Sequence, residues 1–254
     1  QRTTYKGRRE STARAYLHPA MKRPNLHVIT KAHATGILFE GKRATGICYR
    51  QGGRNGTEKE VTAAREVILS GGAYNSPQLL QLSGIGPADL LQAHGIALRH
   101  ALPGVGENLR DHYAPRLVAR VKNINTINET SRGLSLAWEI AKCAATRKGI
   151  LSLNPTLVYC FWHSGETAES SDIQMTFTPA SYNEGVQGEL EREPGMTVAA
   201  WQQRPESKGY CRIRSDSPFD APLIQPNYLA EEHDRRVLLA AMKLARPLLA
   251  SDAL

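Results

Sequence analysis

The sequence predicts an α/β chain joined to a region built on an antiparallel sheet, α+β overall. Three observations lead there. A continuous apolar run at 67–69 is followed by glycines and a helix start, the pattern of an α/β unit. Beyond residue 113, polar and apolar side chains alternate as in half-buried antiparallel strands. The 254 residues are 41% hydrophobic and 22% charged, enough for one large domain or two modest ones. That composition excludes collagen, coiled coil and wholesale disorder.

The elements follow in order. RESTARAYLHPAMKRP reads as a short helix that Ser11 or Thr12 caps and Pro24 follows. LHVIT, TGILFE and RATGICYR are β-rich, and Glu40-Gly41-Lys42 is a tight turn between the last two. A second turn, QGGRNG, leads to the strand KEVTA. Val67-Ile68-Leu69 is expected as a strand covered on both faces, with Ser76 and Pro77 opening the next helix. GIGPADLLQAHG repeats the device, with Pro87 at the start and Gly95 at the stop. ALPGVGENLRDH is a turn-rich connection.

From Arg132 to Arg147 a helix places Leu134, Trp138, Ala141 and Ala145 on one face. In DIQMTFT, Ile173, Met175 and Phe177 face one way and Gln174, Thr176 and Thr178 the other. MTVAAWQQ and GYCRIRS continue the strands, and 172–178, 196–202 and 209–214 are expected in one antiparallel sheet. The tail from Glu231 is a helix with an acidic first turn that Pro247 kinks or ends. The expected divisions are 1–112, 113–215 and 216–254.

Lys and Arg number 32 against 24 Asp and Glu, a formal +8. The basic residues spread along the chain without the aromatic interleaving of a nucleic-acid binder. A solvated surface is the simplest reading; attraction to anionic ligands or peripherally to a membrane surface is the alternative. No run of about 18 apolar residues can span a bilayer. The four cysteines form no CxxC pair, so a reducing, cytoplasmic setting is expected and a zinc site or disulfide framework is not.

Several chemistries lack their motifs: there is no HExxH, GxSxG or GxxxxGK[ST]. The nearest dinucleotide fingerprint, GVGENL, has Leu109 in place of the third glycine. SGGAYNSPQLLQLSGIG at 70–86 is different. Its glycines let backbone approach a flat or phosphorylated ligand, and helix N-terminal amides can face a polar edge. A tight strand-to-helix turn explains the same residues equally well. Tyr159, Phe161 and Trp162 form an aromatic cluster that reads as core before substrate cavity.

The run Gly72 to Gly86 resembles a signature motif of the glucose–methanol–choline oxidoreductases. GRRESTARAYLHP, NLHVITKAHATGILFEGKRATGI, LPGVGENLRDH and RPESKGYCRIRSDSPFDAPLIQPNYL resemble further blocks in the family order. The likeness is greatest to the choline-dehydrogenase-like and aliphatic-alcohol dehydrogenases. It implies an FAD enzyme taking hydride from an alcohol carbon, with a discontinuous flavin domain and a substrate domain on an antiparallel sheet. It assigns a backbone contact with adenine to Ala34, a glycine turn beside the cofactor to Gly71 and Gly72, and the connection near the flavin to Asn108, Asp111 and His112. For Asp111 and His112 a purely structural hydrogen bond competes with that role. It places the GxGxxG loop upstream of Gln1 and the catalytic His downstream of Leu254, so the sequence is expected to be the inactive central portion of a longer enzyme with no catalytic residue of its own. A small-molecule alcohol and an electron acceptor of unspecified kind are the implied partners, and exposed sheet edges imply self-association. A non-catalytic binding module or a flavin-containing lyase of the same family are the alternatives.

Overall fold

The computed structural model describes residues 4–154, 156–166, 170–183 and 188–251. It divides into two compact units, each discontinuous in sequence. One comprises Val28–Asp111 and Glu206–Ala230; the other comprises residues up to His27, His112–Pro205 and residues from Glu231 onward. These units cut across contiguous ranges because strands far apart in sequence pair.

In the unit containing the glycine turn, Ala32–Glu40, Arg43–Gln51 and Glu58–Thr62 form a three-stranded antiparallel sheet. Gly41 makes the first hairpin with φ +57°, where a side chain is strained. Ala32–Glu40 is an edge strand, and its register shifts between Ala34 and Gly36, so Thr35 bulges. Neither LHVIT nor Val67-Ile68-Leu69 forms a strand. Val28, Ile29 and Ile68 are exposed, Ile68 by 73%. Apolar, β-prone sequence is not sufficient: among the described residues no segment pairs with either run.

The helix after the glycine turn is Gly72–Leu82, beginning before the expected Ser76 cap and leaving Pro77 inside it. Gly72 at φ +85° carries the chain into the helix early. Ala88–Ala93 follows Pro87, and Gly95 closes it at φ +70°. Gly209–Arg212 does not join the large sheet as expected. It lies between Leu223–Gln225 and Glu107–Leu109 in a separate three-stranded sheet. Alternation specifies which side chains share a face, not which strand is the neighbour. Close approach decides the pairing here: a Cβ at residue 209 would stand 1.7 Å from the Gln225 carbonyl oxygen.

In the other unit, Val158–Trp162, Ile173–Thr178, Gly195–Gln202 and Arg116–Arg120 form a four-stranded antiparallel sheet in that order. Helix Glu232–Leu249 covers one face, where Ile173, Met175, Val198 and Ala200 pack against Val237, Ala241 and Ala245. Glu232 and Asp234 occupy its first turn, and it stops at Leu249, soon after Pro247. Helix Ile127–Thr130 is capped reciprocally by Thr126 and Glu129. Helix Gly133–Thr146 forms where expected, but its apolar stripe faces outward: Leu134 is 90% and Trp138 69% exposed, while Glu139 is buried.

Candidate functional site

The sequence-predicted Ala34 and Gly71 meet in one groove of about 340 Å3. One wall is the edge strand at Ala32, His33 and Ala34; the other is Ile68–Gly71 and the first turns of the following helix. Ile47, Leu79 and Leu82 make the floor apolar, and Ser70, Asn75, Ser76 and Gln78 place polar groups around it. The bulge at Thr35 lies beside the wall, so the strand changes pleat where it meets the groove.

Polar ties fix the two walls. The Ser83 hydroxyl accepts the Ile37 amide at 2.9 Å and donates to the Leu79 carbonyl at 2.6 Å, joining the helix end to the edge strand. Gln78 Nε2 donates to the Asp220 carbonyl at 2.8 Å. His33 Nε2 donates to the Pro218 carbonyl at 2.7 Å, and its ring stacks on Phe219 with centroids 4.6 Å apart. The Ser215 hydroxyl and then Arg54 hold the Asp220 carboxyl below its usual range. Segment 218–220 is thereby clamped along the rim.

The glycines play different parts. A Cβ at Gly71 would sit 3.2 Å from Asn75 Cβ and from the Ser76 amide, so the turn has little room for one. Gly72 has open space, but its φ of +85° strains any other residue. Among the described lining residues there is no Lys, Arg, Asp or Glu. The groove suits a flat, mostly apolar ring with polar edges, not a bare phosphate.

Asn108, Asp111 and His112 do not line this groove. Asn108 takes φ +59° in the strand Glu107–Leu109. The Tyr228 hydroxyl donates to the Asp111 carboxylate. In the other unit, His112 Nε2 donates to the Gln203 carbonyl at 3.0 Å and its ring lies 5.9 Å from that of Trp201.

The register of the four-stranded sheet sorts the aromatic cluster. Phe161, Gln174 and Trp201 are successive cross-strand partners, as are Tyr159, Thr176, Ala199 and Arg116. These lie on the face opposite the helix Glu232–Leu249, whereas Trp162 pairs with Ile173 on the helix-covered face. A separate cavity of about 640 Å3, lined by Ile127, Ile150, Leu151, Leu153, Leu157 and Leu190 among others, offers no carboxylate, imidazole or amine among its described residues.

Sequence reasoning missed His33, Gln78 and the rim 218–220. Gln78 was one of several polar residues in its helix and nothing in the sequence singled it out; nothing in the spacing linked Pro218 to a histidine so distant in sequence.

Comparison with known proteins places this geometry in a lineage. Family models described as GMC oxidoreductase match residues 2–114 and 205–254. An oxygen-dependent choline dehydrogenase of Staphylococcus xylosus is 38% identical over 251 residues, covering 98% of this chain and 44% of that protein. One from Staphylococcus aureus strain MSSA476 is 37% identical over 98% of this chain and 43% of its own. The chain therefore spans less than half the length of these relatives. A formate oxidase of Aspergillus oryzae shares the fold with TM-score 0.85 at 22% identity, over 97% of this chain and 47% of that one. An FAD-dependent oxidoreductase of Chaetomium thermophilum does so with TM-score 0.80 at 21% identity, over 97% and 48%. The sequence blocks, the matched models and the shared fold agree: this chain belongs to the GMC oxidoreductase family.

Proposed function

We propose that these residues are part of a flavin-dependent oxidoreductase that oxidises the CH–OH group of an alcohol, choline-like or aliphatic. The observation carrying this is the groove between Ala32–Ala34 and Ser70–Gly71 in a chain of this family. FAD is the family's cofactor, and when bound it supplies the hydride acceptor. The groove fits one end of it. An edge strand offers backbone donors and acceptors to a heteroaromatic rim, and apolar residues on both walls cover its faces. Ala32, Ala34, Ser70 and Gly71 would hold the adenine end, with Ser83, Gln78 and His33 fixing the walls and the rim. The uncharged lining supplies no counter-charge for a pyrophosphate, which must be met by other residues.

The open face of the four-stranded sheet is the proposed substrate wall. Tyr159 and Phe161, about half exposed, and the half-buried Trp201 offer rings that attract a quaternary ammonium and accept an aliphatic chain equally. Gln174 and Thr176 can hydrogen-bond a hydroxyl. Because the groove brings no charge to the pyrophosphate, residues 1–254 alone should hold FAD weakly and turn over little alcohol.

The test uses the full-length enzyme under anaerobic conditions, mixed with choline or a medium-chain alcohol. Bleaching of the oxidised flavin by either supports an oxidoreductase. Bound flavin that neither reduces would favour a lyase; absence of flavin binding would favour a non-catalytic module.

A further inference from the structure

Helix Gly133–Thr146 is amphipathic in the wrong sense for a protein interior. Leu134, Trp138, Ala141 and Ala145 recur at helical spacing and form one stripe. That stripe is turned to solvent, with Leu134 90% and Trp138 69% exposed. The single acidic residue of the helix is turned inward. Glu139 is buried, accepts the Ile150 amide at 3.0 Å and pairs with Lys142 at 3.2 Å.

Positive charge gathers where the stripe ends. Arg147 caps the helix and Lys148 follows, both exposed. The hairpin of Thr4–Tyr5 and Arg8–Arg9 abuts the same point: a Cβ at Gly7 would stand 2.2 Å from the Arg147 carbonyl oxygen. Lys6, Arg8 and Arg9 are exposed on that hairpin. None of these five cations has a carboxylate in salt-bridge range among the described residues. Tyr5, 59% exposed, adds an aromatic ring to the patch.

We propose that this face docks on an anionic phospholipid bilayer, with helix Gly133–Thr146 lying in the interfacial plane. An outward Leu and Trp enter the headgroup–acyl boundary while a cluster of Lys and Arg meets lipid phosphate, the chemistry that interfacial helices use. Charge complementarity selects an anionic lipid surface over a second copy of the chain, because the cations beside the stripe need a surface of opposite sign and an identical face supplies none. The helix is about 21 Å long at 1.5 Å per residue, too short to span, and no described helix is apolar enough to cross a membrane.

The test is sedimentation of the full-length protein with vesicles of phosphatidylcholine, with and without phosphatidylglycerol. Binding should require phosphatidylglycerol and weaken as salt rises. Leu134→Ser and Trp138→Ser should each lower the partition coefficient about tenfold. Arg147→Ser and Lys148→Ser should lower it about fivefold each. These positions are exposed, so circular dichroism should show unchanged folding. The difference emission spectrum between wild type and Trp138→Phe should report a water-exposed indole without vesicles and a shielded one with them. An indole already shielded without vesicles, a dimer broken by Trp138→Ser, or binding indifferent to lipid charge would each overturn the proposal.

Discussion

Tyr228 shows how one contact carries a pH signature. Its hydroxyl donates to the Asp111 carboxylate, and that bond, followed by burial, pushes the phenol up to about 12. A phenol held neutral by the fold contributes stability fully below its unfolded value of about 10. The contribution is lost as pH rises from there through the folded value. A tyrosinate absorbance titration should therefore contain a late step that Tyr228→Phe removes; identical curves would contradict the bond. The pairing was not legible in the sequence, where Asp111 stood out only by its family motif. Gly71 and Gly72 were legible as a pair because consecutive glycines before a helix signal unusual backbone. Their division of labour was not, since φ and crowding depend on neighbours folded back from positions 75 and 76.

Gln81 does for several elements what Tyr228 does for one pair of residues. It is fully buried on helix Gly72–Leu82. Nε2 donates to the carbonyls of Val105 and Cys211, each at 3.1 Å, and Oε1 accepts the Ile213 amide at 2.9 Å. One side chain thus ties the helix to the 102–106 connection and to the strand Gly209–Arg212. Gly106 leaves the room this needs, as a Cβ there would lie 2.4 Å from Gln81 Nε2. Gln81→Leu would leave these backbone groups unpaired and should cost about 2–4 kcal/mol, read from urea unfolding. A loss below about 0.5 kcal/mol would show that water replaces the amide without penalty.

The elements that the sequence predicted well are those whose partners follow closely or whose two faces differ. The hairpin 32–51 and the strands 173–178 and 195–202 are of this kind. Val67–Leu69 failed because an apolar run says nothing about whether a strand stands beside it. Helix Gly133–Thr146 had the right period, but period cannot tell an inward stripe from an outward one.

At the scale of the molecule, two compact units are interleaved along the chain. Glu206–Ala230 returns to the glycine-turn unit after the whole four-stranded sheet has been built. Ordered family blocks reveal membership without revealing such returns, which is why Pro218 and Phe219 at the groove rim went unrecognised. The groove itself was half legible. Ala34 and Gly71 came from motif resemblance, while the clamp by His33, Gln78 and Ser83 depends on long-range folding. If the groove seats the adenine end of FAD, filling it should weaken the flavin without touching the sheet in the other unit. The most direct measurement is the FAD dissociation constant of the full-length enzyme carrying Ala34→Phe, with folding checked by circular dichroism. We predict a rise of about tenfold or more, because a phenyl ring would occupy space that the adenine needs. An unchanged dissociation constant in a well-folded variant would contradict the assignment of the groove to the cofactor.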